Sequence, residues 1–267
     1  MHGLPAAPGV YYLLAAVLGL ALGSFCNNWA FRLCRGESVA KGRSRCPQCG
    51  HTLAARDLVP LLSFLLLRGR CRYCGGRISR RYPAAELVSM AACLLLALRF
   101  DPILEWTELL RWAVLAALLL TLALQDWESW ELSDGLIGAG AVWFLALLPL
   151  SGGLAGLRAG LLGGISVAGP LLLFTLAADK LLGVETMGGG DIKLFAMLGL
   201  HLGPGRSLLT LILACALGLL LGLVPRGDAQ AAEGKFHAVP FGPAICLAAL
   251  LAGLWGTRLL TWYAALF

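Results

Sequence analysis

Apolar residues run along this chain in long unbroken stretches separated by short polar breaks. A helix needs roughly 20 apolar residues to cross about 30 Å of hydrocarbon, or about 17 when flanking groups reach for the interface. Eight stretches meet or approach that length: 10–31, 83–100, 109–125, 132–150, 157–178, 192–202, 208–224 and 241–262. The sixth is the shortest. None alternates apolar and polar residues at period two, which argues against a β-barrel. The pattern predicts an all-α polytopic membrane protein of about eight transmembrane helices. A polar segment interrupts it between the first and second stretches. The implied organisation is a transmembrane helix over 1–31, an insert over 32–83, and a seven-helix membrane domain over 84–267.

Composition agrees with that reading. Of 267 residues, 59% are hydrophobic and 13% charged, whereas a soluble domain carries about 25% charged residues. A soluble globule of this size could not bury so much apolar surface. The net charge of +6 is uneven, because 32–82 holds twelve of the 21 Lys and Arg residues and only two acids, Glu37 and Asp57. Lys and Arg in short loops favour the cytosolic side. The insert is therefore expected in the cytoplasm and the N-terminus outside. Counting onward places 125–133, 179–191 and 225–239 inside, with 101–108, 151–156 and the C-terminus outside. No Lys, Arg, Asp or Glu precedes residue 32, so the first stretch reads as a retained anchor rather than a cleaved signal. The arginines of the insert can rest on anionic lipid headgroups, and nucleic acid is not needed to explain them.

Within the insert, Cys46-Pro-Gln-Cys49-Gly and Cys71-Arg-Tyr-Cys74-Gly-Gly are separated by 21 residues. Two such pairs can wrap four thiolates around one Zn²⁺, with glycine permitting each tight turn. Four thiolates leave no open coordination position, so the expected metal role is structural. Two disulfides are the alternative, opposed by a reducing cytosolic location, and His51 is a possible replacement ligand. Cys26, Cys34, Cys93, Cys215 and Cys246 lack ligand spacing and read as packing residues.

Ionisable groups at the edge of a membrane helix are functional candidates by default. Asp126 ends the third stretch, and Asp191 follows Gly188, Gly189 and Gly190 to open the sixth. Loop charge alone brings both to the cytosolic face. Each has a bland reading, as a solvated helix end for Asp126 and as a helix N-cap for Asp191. Glycine before Asp191 allows a close approach by backbone or substrate, or a positive φ. Two carboxylates in a half-dry site share one proton, so one can activate water while the other protonates a scissile carbonyl. The same two acids could instead serve a cation-coupled transporter, although no internal repeat of the kind such proteins show is evident. Glu86, beside the insert, is a candidate for a polar role there or a snorkelling acid.

Taken in order, these residues resemble the type IV prepilin peptidase family, the prepilin leader peptidase/N-methyltransferases. The resemblance rests on Gly23-Ser24-Phe25 with Asn27 and Arg32-Leu33, and on the two CxxC pairs. It continues through Asp57-Leu-Val-Pro60-Leu-Leu-Ser63, Leu67-Arg-Gly-Arg-Cys71, Ile78-Ser79, Arg81-Tyr82-Pro83 and Glu86-Leu87. Gly188-Gly189-Gly190-Asp191 with Lys193 matches the GxGD signature, Asp126 with Asp134 the other aspartate motif, and Pro240-Phe241-Gly242-Pro243 the C-terminal one. The resemblance implies that Asp126 and Asp191 form the catalytic pair of a GxGD-type membrane aspartic peptidase, with Gly188, Gly189 and Gly190 positioning substrate. The implied substrates are prepilins or type II secretion pseudopilins, cut at the cytosolic face of the bacterial inner membrane between a basic leader and a hydrophobic helix. It further implies N-methylation of the new N-terminus with S-adenosylmethionine, an activity associated with the cysteine insert; a peptidase with an inactive methyltransferase is the variant reading. The donor site is not assignable from spacing.

Five departures stand out: Ser133 where the family usually has Pro, Cys26 and Asn28 at usually apolar positions, Cys34 where Pro is common, and Thr186 in place of a glycine. Loop 126–134 carries Asp126, Glu128, Glu131 and Asp134 without a base, and such a loop attracts a basic leader. Reversing Glu128 and Glu131 to Lys is expected to raise the KM for a basic-leader substrate at low ionic strength; an unchanged KM under those conditions would remove the steering role.

Overall fold

A computed structural model describes residues 8–39, 42–150, 152–184, 186–223 and 239–266. The expected cytosolic loop 225–239 and the extreme N-terminus lie almost wholly outside the described residues. Among the described residues eight α-helices follow in order: α1 Pro8–Leu33, α2 Leu62–Leu66, α3 Arg81–Arg99, α4 Trp106–Ser129, α5 Asp134–Leu147, α6 Gly153–Leu182, α7 Gly189–Gly222 and α8 Gly242–Ala264. Among the described residues there are no strands, and the only β-pairing is two isolated antiparallel bridges in the insert. Six helices, all except α2 and α5, are long and apolar enough to cross a membrane. The chain divides into two compact units, Met1–Leu124 and Gln125–Phe267.

In the first unit, α1 and α3 pack through glycine. A Cβ at Gly19 would lie 2.6 Å from Met90 Cα, and one at Gly23 would lie 2.7 Å from both Ala85 O and Glu86 Cα. Lipid tails are as apolar as side chains, so membrane helices gain from close backbone packing of this kind rather than from hydrophobic burial. At the end of α1 the Arg32 guanidinium, almost fully buried, donates to Ser38 O at 2.9 Å and Gly42 O at 3.1 Å, fixing the chain's entry into the insert. Arg81 opens α3 and donates to Leu124 O at 2.7 Å.

In the second unit α5, α6 and the start of α7 close on one another through small residues. A Cβ at Gly160 would stand 2.8 Å from Leu200 O, and one at Gly163 would collide with the Gly199 carbonyl. Gly140 of α5 lies on Met197, and its carbonyl is 3.0 Å from His201 Nε2. Gly164 faces Ala196 while Gly160 faces Leu200, so α6 and the start of α7 are antiparallel.

The stretch 192–202 and residues 208–222 of the next both fall within α7, which breaks at Gly203 (φ 71°, ψ 174°) before Pro204. The break reverses the chain. Gly205 lies against Leu260, Gly256 against Leu209, and Gly218 against Phe241 and Ala244, an antiparallel register of the second half of α7 on α8. Residues 191 and 218 would be about 40 Å apart on a straight helix, yet Gly218 packs beside the start of α8, where Gly242 contacts Asp126. The left-handed φ at Gly203 favours glycine, and the missing N–H of Pro204 removes a helical hydrogen bond at the same place. The stretch 132–150 is the other difference from the expected pattern: α5 has 14 residues and ends in a 3₁₀ turn, Leu148–Leu150.

Gly23→Leu places a branched side chain against the α3 backbone. It is expected to lower stability by about 1–3 kcal/mol, read as a fall in thermal midpoint in detergent, while Gly9→Leu, with nothing within 4 Å of its Cβ position, leaves the midpoint unchanged.

Candidate functional sites

The second unit carries the two aspartates. Asp126 lies near the end of α4 and is only 6% exposed, unlike a solvated helix end. The helix stops because Trp130 adopts a left-handed conformation (φ 58°), its N–H donating to Asp126 O at 2.9 Å. The Gln125 side chain then accepts from Ser133 N at 3.3 Å, and Ser133 O receives the N–H groups of Leu136 and Ile137 at 3.1 Å. Ser133 thus starts α5 through backbone bonds in place of a rigid proline. Asp191 is the third residue of α7; Gly188 takes the N-cap position, and its carbonyl accepts from Asp191 N at 3.1 Å.

The unit brings the two acids together. Asp126 and Asp191 interact electrostatically, and the Cys246 thiol on α8 lies within electrostatic range of both. Gly242 N donates to Asp126 Oδ2 at 2.8 Å, and a Cβ at position 242 would sit 2.6 Å from that oxygen. Any side chain there would displace the carboxylate. Cys246 is buried, in keeping with packing, but its position beside both acids was not readable from spacing.

The glycines before Asp191 act differently from one expectation. None of Gly188, Gly189 and Gly190 has a positive φ. Gly190 instead approaches Leu132, whose Cβ is 3.2 Å from a Cβ placed on it, and Gly189 faces open space. Close approach is thus the use of Gly190, and none of the three needs left-handed backbone. Thr186, a departure from the family pattern, gains a partner: its N–H and Oγ1 donate to Asp179 Oδ1 at 2.8 and 2.7 Å. Glu128 and Glu131 are exposed, and Asp134 pairs with Lys193 at 2.8 Å, linking the starts of α5 and α7.

The first unit carries the cysteines. The Sγ atoms of Cys46, Cys49, Cys71 and Cys74 all lie within 4.8 Å of one another, and all nine cysteines are free thiols. Tetrahedral Zn–S bonds of about 2.3 Å imply S···S separations of about 3.8 Å, so the cluster fits such an ion with small adjustments. The two halves repeat. Gly50 N donates to Cys46 O and Cys46 N to His51 O; Gly75 N donates to Cys71 O and Cys71 N to Gly76 O. Gly50 and Gly75 share φ of 70°, and each turn is closed by a bridge, Arg45 with Thr52 and Arg70 with Arg77. His51 stacks on Tyr73 with centroids 3.7 Å apart and stands outside the four-sulfur cluster.

Two acids brace this insert, and spacing did not give their roles. Asp57 receives Arg72 Nε at 2.7 Å, Tyr73 OH at 3.0 Å and Ala54 N at 3.2 Å. Glu86, 6% exposed, accepts Leu61 N at 2.7 Å, holding a residue whose φ is 58°. The Arg72 guanidinium, with Tyr73 and Ala54, keeps the Asp57 carboxyl below its ordinary value. Its contribution to stability is therefore complete above the unfolded range near 4 and fades as pH falls through the lower folded value. Asp57→Asn is expected to reduce the thermal midpoint by an amount that stays constant from pH 8 to about 5 and shrinks below about 4. A gap independent of pH down to 3 would exclude the ionic role.

The family model described as Bacterial Peptidase A24 N-terminal domain matches residues 17–100, and the Type IV leader peptidase family model matches residues 113–223. A prepilin leader peptidase/N-methyltransferase from Bacillus subtilis (strain 168) is 38% identical over 249 residues, covering 92% of this chain and 95% of the relative. The protein of the same name from Aeromonas hydrophila is 33% identical over 98% of this chain and 96% of its own, and that from Pseudomonas putida 34% identical over 94% and 93%. No solved structure matches the chain.

Proposed function

The chain belongs to the type IV leader peptidase family, and from that premise we propose that it is a multi-pass inner-membrane enzyme that cuts the basic leader from prepilins or pseudopilins and then methylates the new N-terminus. The observation that carries the peptidase half is that Asp126, held by the Gly242 N–H, lies within electrostatic range of Asp191. In the proposed mechanism the pair shares one proton. The ionised carboxylate takes a proton from water, whose oxygen attacks the scissile carbonyl carbon. The other carboxyl protonates the carbonyl oxygen. Collapse of the tetrahedral intermediate breaks the C–N bond, and the leaving nitrogen receives a proton. Gly242 orients Asp126, and the open side of Gly189 leaves room for an extended backbone at Asp191.

The substrate's hydrophobic helix stays in the lipid, and its basic leader meets the acidic residues Glu128 and Glu131. Positive-inside charge places the insert and both aspartates on the cytosolic side, with the N-terminus outside. Counted as crossings, α5 with its 3₁₀ turn and the two halves of α7 bring the number to eight. Cys46, Cys49, Cys71 and Cys74 would hold a structural Zn²⁺, which fixes the two turns of the insert and offers no open position for chemistry. In the second step the new N-terminal amine, having lost a proton to solvent, forms a bond to the methyl carbon of S-adenosylmethionine. The C–S bond breaks and its electron pair stays on sulfur as a neutral thioether; the methylated amine then carries the charge.

Asp126→Asn and Asp191→Asn are each expected to reduce cleavage of a peptide with a basic leader ending in Gly before Phe by on the order of 10³-fold or more. Both variants should keep wild-type metal content and still pass labelled methyl groups to a pre-cleaved peptide. Wild-type cleavage by either variant would overturn the pair.

A further inference from the structure

The Type IV leader peptidase match begins at residue 113, whereas the relatives' shared name carries two activities. Within the first unit a cavity of about 1040 Å³ opens between the cytosolic-side end of α1, the insert and the start of α3. Ligand pockets commonly measure about 300–1,000 Å³, so this one has room for a nucleoside-sized molecule and part of a second reactant.

Its lining has a specific charge problem. Glu86 forms part of the wall and is 6% exposed, yet no cation forms an ion pair with it among the described residues. The Leu61 N–H donates to it at 2.7 Å, and the Ser24 side chain lies on the same wall. A buried carboxylate without a counter-charge is costly, and a ligand that brings a positive charge removes the cost. The remaining wall suits the rest of such a ligand. Phe25 offers an aromatic face, Asn28 an amide able to donate and accept, and Arg43 a cation for a carboxylate.

We propose that this cavity is the methyl-donor site, with Glu86 facing the sulfonium of S-adenosylmethionine, Phe25 and Asn28 receiving the adenine, and Arg43 the donor's carboxylate. The assignment rests on the methyl-transfer half of the proposed function. It explains why a donor site was invisible as a motif, since its parts come from α1, the insert and α3 rather than from one loop.

Sulfonium charge separates a ligand role for Glu86 from a structural one. The full chain, purified with its metal, is titrated calorimetrically with S-adenosylmethionine and with the neutral thioether S-adenosylhomocysteine. Wild type is expected to bind both. Glu86→Gln should weaken the donor at least tenfold and the thioether less than threefold, while Asn28→Trp, which fills the cavity, should weaken both at least tenfold. Wild type binding neither ligand would overturn the methyl-transfer reading along with the site. Binding by wild type that neither variant alters would overturn the site alone, as would equal loss of both ligands in Glu86→Gln. Metal content is the folding check, and if Glu86→Gln loses its metal the decision passes to Asn28→Trp.

Discussion

Backbone against backbone is the contact on which this fold depends. In lipid, helices gain little by hiding apolar surface from one another, so dispersion at close range and satisfied polar groups must hold them. Gly160, Gly163 and Gly164 on α6 and Gly199 on α7 remove the side chains that would keep these helices apart. Gly19 and Gly23 do the same for α1 on α3. Where α6 and α7 touch, the start of α7 is fixed, and with it Asp191. The reversal at Gly203 then returns the chain to the level of Gly242, so one glycine-dependent framework carries both acids and the amide that orients one of them.

The two units solve opposite electrostatic problems. The insert concentrates basic side chains and uses Asp57 to tie Arg72 and Tyr73 to the 3₁₀ turn at Ala55–Asp57. The second unit instead gathers carboxylates near the starts of α5, α7 and the end of α4. Lys193 neutralises Asp134 there, leaving Asp126 and Asp191 to act on each other. Glu86 belongs to neither pattern, being an acid at the edge of a basic segment, buried, and held by backbone.

Much of this architecture was legible because membrane spans and metal turns are written locally. Long apolar runs need no partner to be recognised, and CxxC followed by glycine encodes its own turn. Loop charge led to the expectation that Asp126 and Asp191 share one side, and the fold leaves them within electrostatic range of each other. Other features depend on residues remote in sequence. Gly242 matters because it touches Asp126, 116 residues away, and Cys246 because α8 places it beside both acids. The repeat of Arg-Cys-x-x-Cys-Gly at 45 and 70 was local and open to notice, since Arg45 and Arg70 occupy the same place in each turn. The reversal at 203–204 was signalled by Gly-Pro, which separates the two apolar runs that form the two halves of α7. Thr186 shows the limit of comparison by pattern: it departs from the usual glycine, but its hydroxyl donates to Asp179 a hydrogen bond that a glycine could not make.

The brevity of α5 has a consequence for the surrounding bilayer. With 14 residues it is about 21 Å long, and the first half of α7, 189–202, has the same length. Both fall short of the hydrocarbon thickness of about 30 Å, and a membrane meeting short helices thins or admits headgroups to match them. In the proposed reaction, a local mismatch beside Asp191 would ease the entry of water, the second reactant, from the cytosolic face without opening a pore.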